Sequence, residues 1–303
     1  ALGVGYAALH ALNPRLIVTS ITPFGQTGPY SRFKAPDIVG QAMGGLMNQV
    51  GFPDRPPYRI GGEMGYWTVS TLAGDATLLA LAYRDAGGDG QQVDVSMQQA
   101  IALGLGTAMP MYDILGRVVS RGSFGLGGAV PMRSCYPCKD GWVYFLAAAP
   151  GTSIDAVAGL LAEHGLAEEF DPAWHDFQAL RRDPDHVARF EALMLRFFSR
   201  FTARELLTMG FDREPPVFVV PTEDAAGIVS SPQLAARGFF VDVEHEELGA
   251  TITYPGPPYR LPESPWRIGR RAPLLGEHNR EVYTGWLGMV DHELDRLQQA
   301  GVI

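Results

Sequence analysis

Along residues 1–115 the period of the apolar positions switches repeatedly between helical and strand spacing. Leu2 to Leu12 reads as helical, and Asn13-Pro14 ends it, because proline has no amide donor to continue the ladder. Arg15 to Ile21 is a short β-branched run, the pattern of a buried strand. A loop rich in Gly and Pro follows from Thr22 to Lys34, and Asp37 to Val50 is helical with Gly44-Gly45 inside it. Val69 to Tyr83 is a strongly apolar helix, whose small residues Ala73, Gly74, Ala76 and Ala80 would let a neighbour approach closely. Gln92 to Ser96 then reads as a strand and Met97 to Leu105 as a helix. Strands and helices alternating at this spacing predict an α/β domain with a mainly parallel sheet.

From about Gly116 the pattern changes. Gly122 to Gly128 is a glycine-rich loop, and Ser134 to Ala147 is strand-like around a Lys139-Asp140-Gly141 hairpin turn. Residues 151–210 are mostly helical, with Phe190, Leu193, Met194 and Phe197 at the spacing of one helix face. Val217 to Val220 is a strand, and Ser231-Pro232 opens a short helix that stops near Arg237-Gly238. Residues 239–276 read as rich in β structure and proline, and a charged helix from Val290 to Gln299 closes the chain. The expected organisation is a Rossmann-like large domain (1–115 and 223–303) interrupted by a smaller inserted α+β domain (116–222).

The 303 residues are 46% hydrophobic and 19% charged, ample material for a packed core. A net charge of −9 argues against nucleic acid as a partner, since phosphates demand clustered Lys and Arg. It leaves room for an anionic small molecule held by a few local cations or helix N-termini. Cys135 and Cys138 are the only cysteines, too few for a disulfide framework, so the expected compartment is a reducing cytoplasm. Their single CxxC lacks the further ligands of a metal site, so none is expected. No apolar run is long enough to span a bilayer, and no membrane association is expected. The chain opens with Ala1 inside a helical pattern, as a processed or truncated product would.

Three blocks take the reading further: Asn13 to Tyr30, Gly90 to Ser96, and Pro232 to Phe240 continuing through Pro255–Arg260 to Pro273–Asn279. Together, in this order, they resemble the class III CoA-transferases over nearly the whole chain. The resemblance implies an opening segment of roughly a hundred residues that is absent here. It also implies acyl-CoA and a carboxylic acid as substrates, with coenzyme A passing between them and no permanently bound cofactor. An aspartate attacks the thioester, forms a mixed anhydride, and is converted by the CoA thiolate to an aspartyl-CoA thioester; the acceptor acid reverses the exchange. Glycine-rich loops cover the intermediate and keep water out.

Read without gaps from Arg59-Ile60-Gly61 to Leu78–Leu81, the position of that aspartate is Tyr66. A phenol is largely protonated near neutrality and would give an ester in place of an anhydride. Glu63 is the candidate substitute nucleophile; if residues 62–66 are extended, it points to the face opposite Tyr66. A related branch, the α-methylacyl-CoA racemases, uses a histidine in Gly-His-Asp, but this stretch reads Ala35-Pro36-Asp37, so the base is missing. By the same resemblance Lys34 lies near the mouth of the CoA site, and Phe24, Gly25 and Gln26 form a turn behind it. Gly125, Gly127 and Gly128 match the mobile active-site loop. Asp94 is expected to be a buried, hydrogen-bonded carboxylate, and Gly276-Glu277-His278-Asn279 to be structural. Members of the family form interlocked dimers, and some pair a competent with an incompetent subunit. The expectations are therefore a homodimer, or a heteromer with an Asp-containing homologue. The alternatives are a self-sufficient acyl-CoA enzyme (transferase, lyase or isomerase) using another residue, and a non-catalytic CoA-binding scaffold.

Overall fold

The computed structural model describes residues 3–51, 54–106, 108–121, 132–147 and 153–303. They divide into two compact units, Ala1–Pro221 and Thr222–Ile303.

The first unit begins with α1 (Tyr6–Leu12), β1 (Val18–Thr22), α2 (Asp37–Met43), α3 (Leu46–Gln49), α4 (Met64–Asp85), β2 (Gln92–Ser96), α5 (Met97–Gly104) and α6 (Ala108–Leu115). The two strands pair in parallel, with Val18 opposite Gln92 and Thr22 opposite Ser96. Parallel pairing requires a long crossover; here the chain between β1 and β2 contains α2, α3 and α4. The Gly44-Gly45 pair splits the predicted single helix into α2 and α3, with Gly45 in the left-handed region at φ 87°. Gly40 and Gly44 have a second use: a Cβ at either would lie within 2.6 Å of Met97 or Ile101 on α5, so these positions bring α2 against α5.

Helix α4 packs on α2, α5 and both strands. Val69, Ala73 and Ala80 are its buried residues alongside Gly65, and Val69 joins Met97, Ala100 and Ile101 in a small apolar cluster. Gly74 does not serve the close packing expected of it, since nothing lies within 4 Å of where its Cβ would be. The helix also starts five residues earlier than its apolar pattern, at Met64 instead of Val69. Residues 64–66 are therefore helical, and Glu63 and Tyr66 are one turn apart instead of on opposite faces of a strand.

The rest of this unit comprises β3 (Cys135–Pro137), β4 (Trp142–Leu146), α7 (Ile154–Glu163), α8 (Phe177–Leu180), α9 (Pro184–Phe198), α10 (Ala203–Phe211) and β5 (Phe218–Pro221). The strands form an antiparallel sheet in the order β3-β4-β5. One face of α9 supplies Phe190, Leu193, Met194 and Phe197, all at most 2% exposed, to a large core with Tyr136, Trp174 and Phe198. The predicted helical spacing and hairpin both appear here as read.

The second unit holds α11 (Ala225–Val229), α12 (Pro232–Ala236), a β6–β7 hairpin (Phe240–His245 and Ala250–Pro255) and α13 (Asp291–Gln299). The β-rich expectation for 239–276 reduces to this hairpin; Gly256 to Gly276 carries no regular element. A π-helical turn at Arg280–Trp286 was not legible, because its period has no distinct apolar signature. No helix among the described residues is long and apolar enough to cross a membrane.

Candidate functional site

Both parallel strands run toward the same edge, and β1 ends there in the loop 22–34. In open α/β sheets the carboxyl ends of strands are where ligands bind. The loop is braced at its root. Gly25 donates its N–H to Thr22 Oγ1 at 2.8 Å, and Gln26 donates its own to Asp94 Oδ2 at 2.9 Å across the sheet. Gly25 is buried with φ 86°, a conformation that excludes a Cβ at low cost, and this explains a glycine between Phe24 and Gln26. Asp94 is thus hydrogen-bonded as expected but exposed on its strand, not buried. Farther out, Phe24, Tyr30 and Phe33 gather into an aromatic cluster, with Tyr30 and Phe33 stacked at 5.2 Å and Phe24 edge-on to both. The cluster folds the Phe24-Gly25-Gln26 turn back onto the residue before Lys34. Lys34 itself is exposed and forms no ion pair among the described residues.

Three residues beyond Lys34, Asp37 opens α2 and reaches the first turn of α4. Its Oδ1 accepts the N–H groups of Gly65 (2.7 Å) and Tyr66 (3.2 Å), and its Oδ2 accepts Gln41 Nε2 at 2.6 Å. Gln41 in turn accepts the Ile60 N–H at 3.0 Å, and Arg59 bridges outward from Asp37 (3.9 Å) to Glu63 (3.2 Å). Asp37 and Gln41 are buried, while the Tyr66 side chain stands in the open, the residue 44% exposed. Continuous chain and named bonds therefore link the Gly25 turn, Lys34, Glu63 and Tyr66. The sequence marks Asp37 as the first residue of a helix and the last of Ala35-Pro36-Asp37, and carries no signal of its contact with Gly65, which spans 28 residues.

The sequence model of CoA-transferase family III matches residues 1–279. The chain belongs to CoA-transferase family III. It is 33% identical over 99% of its length to succinyl-CoA–D-citramalate CoA-transferase of Chloroflexus aurantiacus, covering 73% of that protein. It is 32% identical over its whole length to the BbsE subunit of succinyl-CoA:(R)-benzylsuccinate CoA-transferase of Thauera aromatica, again covering 73%. A formyl-CoA:oxalate CoA-transferase of Streptomyces coelicolor is 33% identical, with 75% of it covered. Among solved structures, a CAIB/BAIF family protein from Brucella suis superposes with a TM-score of 0.79 at 25% identity, over 93% of this chain and 71% of that one. The fold is accordingly the class III CoA-transferase α/β fold, and the family's chemistry is transfer of CoA between an acyl-CoA and an acid, with CoA thioesters as substrates.

Within this CoA-transferase the remaining expected residues separate clearly. Gly125, Gly127 and Gly128 lie outside the described residues. Cys135 and Cys138 are free thiols: Cys135 is exposed on β3, and Cys138 donates to Asp140 Oδ1 at 3.4 Å. Burial raises the Cys138 pKa above the usual thiol value, against any reactive thiolate. No group of metal-ligating side chains occurs among the described residues. Glu277 of the Gly-Glu-His-Asn stretch accepts the Leu274 N–H at 2.6 Å and pairs with Arg271, a structural clamp within the second unit. An open apolar cleft of about 830 Å³ is lined by α3 and α6 residues such as Asn48, Met109, Tyr112 and Ile114; none of the expected site residues lines it. The bonded chemistry at the start of α4 is the better guide to the site than cavity size.

Proposed function

We propose that this chain is the subunit of a heteromeric class III CoA-transferase that binds an acyl-CoA and leaves the nucleophilic carboxylate to an Asp-containing homologue. One observation carries the reading: the exposed side chain in the first turn of α4, at the position where the resemblance expects aspartate, is the phenol of Tyr66. The carboxylates beside it are otherwise engaged. Asp37 is buried with both oxygens bonded, and Glu63 is paired with Arg59.

The transfer needs a carboxylate for a definite reason. Its oxygen attacks the thioester carbonyl and expels the CoA thiolate, leaving an acyl-aspartyl anhydride. The thiolate attacks the aspartyl carbonyl and expels the donor acid, leaving aspartyl-CoA. The acceptor carboxylate then repeats both steps in reverse. A phenol at that position would stop at an aryl ester with no second activated carbonyl on the protein. Lys34 is the proposed partner for a CoA phosphate, and the Phe24-Gly25-Gln26 turn the wall behind the thioester. Relatives named as subunits, BbsE and the alpha and beta subunits of succinyl-CoA–L-malate CoA-transferase, support a heteromer. The cytoplasm, with its acyl-CoA pool, is the proposed compartment, and 1–115, 116–222 and 223–303 the proposed domain division. A second reading, self-sufficient catalysis by Glu63, is favoured by its partly exposed carboxylate one turn from Tyr66.

The test is covalent trapping. The purified homomer given acyl-CoA should show no acyl or CoA adduct by mass spectrometry and no hydroxylamine-sensitive carboxylate. Co-assembly with an Asp-containing homologue should yield transfer. Tyr66→Asp in the homomer should recover about a hundredth or less of a competent relative's rate, because the surrounding donors are not arranged for it. Robust transfer by the wild-type homomer, abolished by Glu63→Gln and untouched by Tyr66→Phe, would establish the second reading instead.

A further inference from the structure

Helix α4 has no cap of its own. Glu63 occupies the N-cap position, but its side chain makes no capping bond and turns instead to Arg59. A 22-residue helix without a cap of its own leaves its first amide donors without an intrahelical partner, and here one of them, on Gly65, is buried. The two that an N-cap side chain ordinarily takes are those of the second and third helical residues. In α4 these are Gly65 and Tyr66, and both donate to Asp37 Oδ1.

We infer that Asp37 is the tertiary N-cap of α4 and, through it, the positioning residue for the Tyr66 side chain. Four features specify it. Asp37 is 2% exposed and Gln41 0% exposed, so no water-facing role accounts for either. Asp37 is itself the first residue of α2, so its carboxylate lies at the positive ends of two helices. Every polar contact it makes is with a donor, and Gln41 is held in the matching orientation because its Oε1 accepts the Ile60 N–H. Gly65 has no alternative: a Cβ there would sit 2.7 Å from Asp37 Oδ1 and 3.1 Å from Ile101 and Met97. The same contacts exclude Asp37 as a hidden nucleophile, since a buried carboxylate with both oxygens bonded cannot reach a thioester.

The consequence for function rests on the reading of Tyr66 given above. If the α4 turn faces the acyl-CoA, loosening the cap disturbs the reacting geometry more than the binding of the distant CoA nucleotide. Asp37→Asn presents an NH2 group to donors. Adding Gln41→Glu returns an acceptor: the new amide at position 37 donates to the new carboxylate at position 41, whose other oxygen keeps the Ile60 N–H, at the loss of the Gln41 Nε2 bond to the Ile60 carbonyl (3.3 Å). Gly65→Ala attacks the same contact from the other side.

Residue-resolved hydrogen exchange on the full chain decides the cap. Gly65 and Tyr66 amides should exchange about tenfold faster in Asp37→Asn and in Gly65→Ala, with Ala73 and Ala80 unchanged, and return toward wild type in the double variant. Unchanged exchange in both single variants, or a folded double variant without recovery, would overturn the proposal. Should Asp37→Asn alone fail to fold, folding of the double variant with protected Gly65 and Tyr66 amides supports it, and failure of both variants together with unperturbed exchange in Gly65→Ala overturns it. In co-assembly with the Asp-containing homologue, Asp37→Asn should lower kcat about tenfold with the KM for acyl-CoA nearly constant. Faster exchange with unchanged kcat overturns the positioning role. A wild-type co-assembly that transfers nothing refutes the heteromer reading, while the exchange result still decides the cap.

Discussion

Tyr136 illustrates how a single side chain can be fully enclosed and still incompletely satisfied. Its ring lies edge-on to Phe145 and Phe198, with centroids 5.9 and 5.2 Å away, and it has no exposed surface. Its hydroxyl has no hydrogen-bond partner among the described atoms. Burial first, and the Glu191 carboxylate second, push the phenol well above the usual tyrosine range, so the group is neutral near physiological pH. An unpartnered buried hydroxyl contributes packing and a desolvation cost together. Tyr136→Phe should therefore leave the unfolding free energy unchanged or raise it by up to about 1 kcal/mol, read from the midpoint and slope of denaturant unfolding. A loss near 2 kcal/mol would show that the hydroxyl has a partner. Tyr66 makes the contrasting case at this scale: its proposed place at the family's aspartate rests on an ungapped reading between Arg59-Ile60-Gly61 and Leu78–Leu81, which draws on near neighbours alone. Asp37 does not stand out in the sequence, because its meaning depends on amides 28 and 29 residues away.

Elements differ in where their ends are encoded. Helix α10 carries its start signal locally. Thr202 Oγ1 accepts the Glu205 N–H at 3.2 Å, and the Glu205 carboxylate accepts the Thr202 N–H at 2.8 Å in return. Those bonds to Thr202 hold the Glu205 carboxyl below its ordinary pKa. Thr202→Ala should destabilise the N-terminal unit by about 1 kcal/mol, measured by urea unfolding, and a change below a few tenths would show that α10 is held by packing alone. The start of α4 has no such local signal, which is why its apolar stripe marks only the part from Val69 onward. The α9 face and the Lys139-Asp140-Gly141 hairpin were legible because periodicity and turn chemistry are short-range.

At the scale of the whole chain, the two units are stabilised by different means. The N-terminal unit has a large aromatic core, whereas the second has few buried apolar residues, Val243 and Leu294 among them, and leans on polar clamps. Arg271 is held between Glu247 (2.7 Å) and Glu277 (2.8 Å). Hydrogen bonds from Arg271 and from the Leu274 N–H bring the Glu277 pKa down from the ordinary 4.5 to about 2. The folded value lies below the unfolded one, so the stabilisation is complete above pH 4.5 and is lost as pH falls toward 2. Glu277→Gln should lower the neutral-pH stability of this unit and flatten its acid dependence between those limits, followed by circular dichroism. An unaltered acid profile would contradict the assignment.

The family and the parallel strand pair were determined by the sequence alone, through motif order and β-branched runs. These signals survive in one dimension because each depends on near neighbours along the chain. The α4 cap, the exposed setting of Asp94, the outward-facing Gly74 and the bonded path from the Gly25 turn to Tyr66 were decided only by the tertiary structure. Each depends on which distant amide, carboxylate or helix face the fold brings within about 3 Å, and hydrogen bonding at that range carries no periodicity that a linear pattern can reveal.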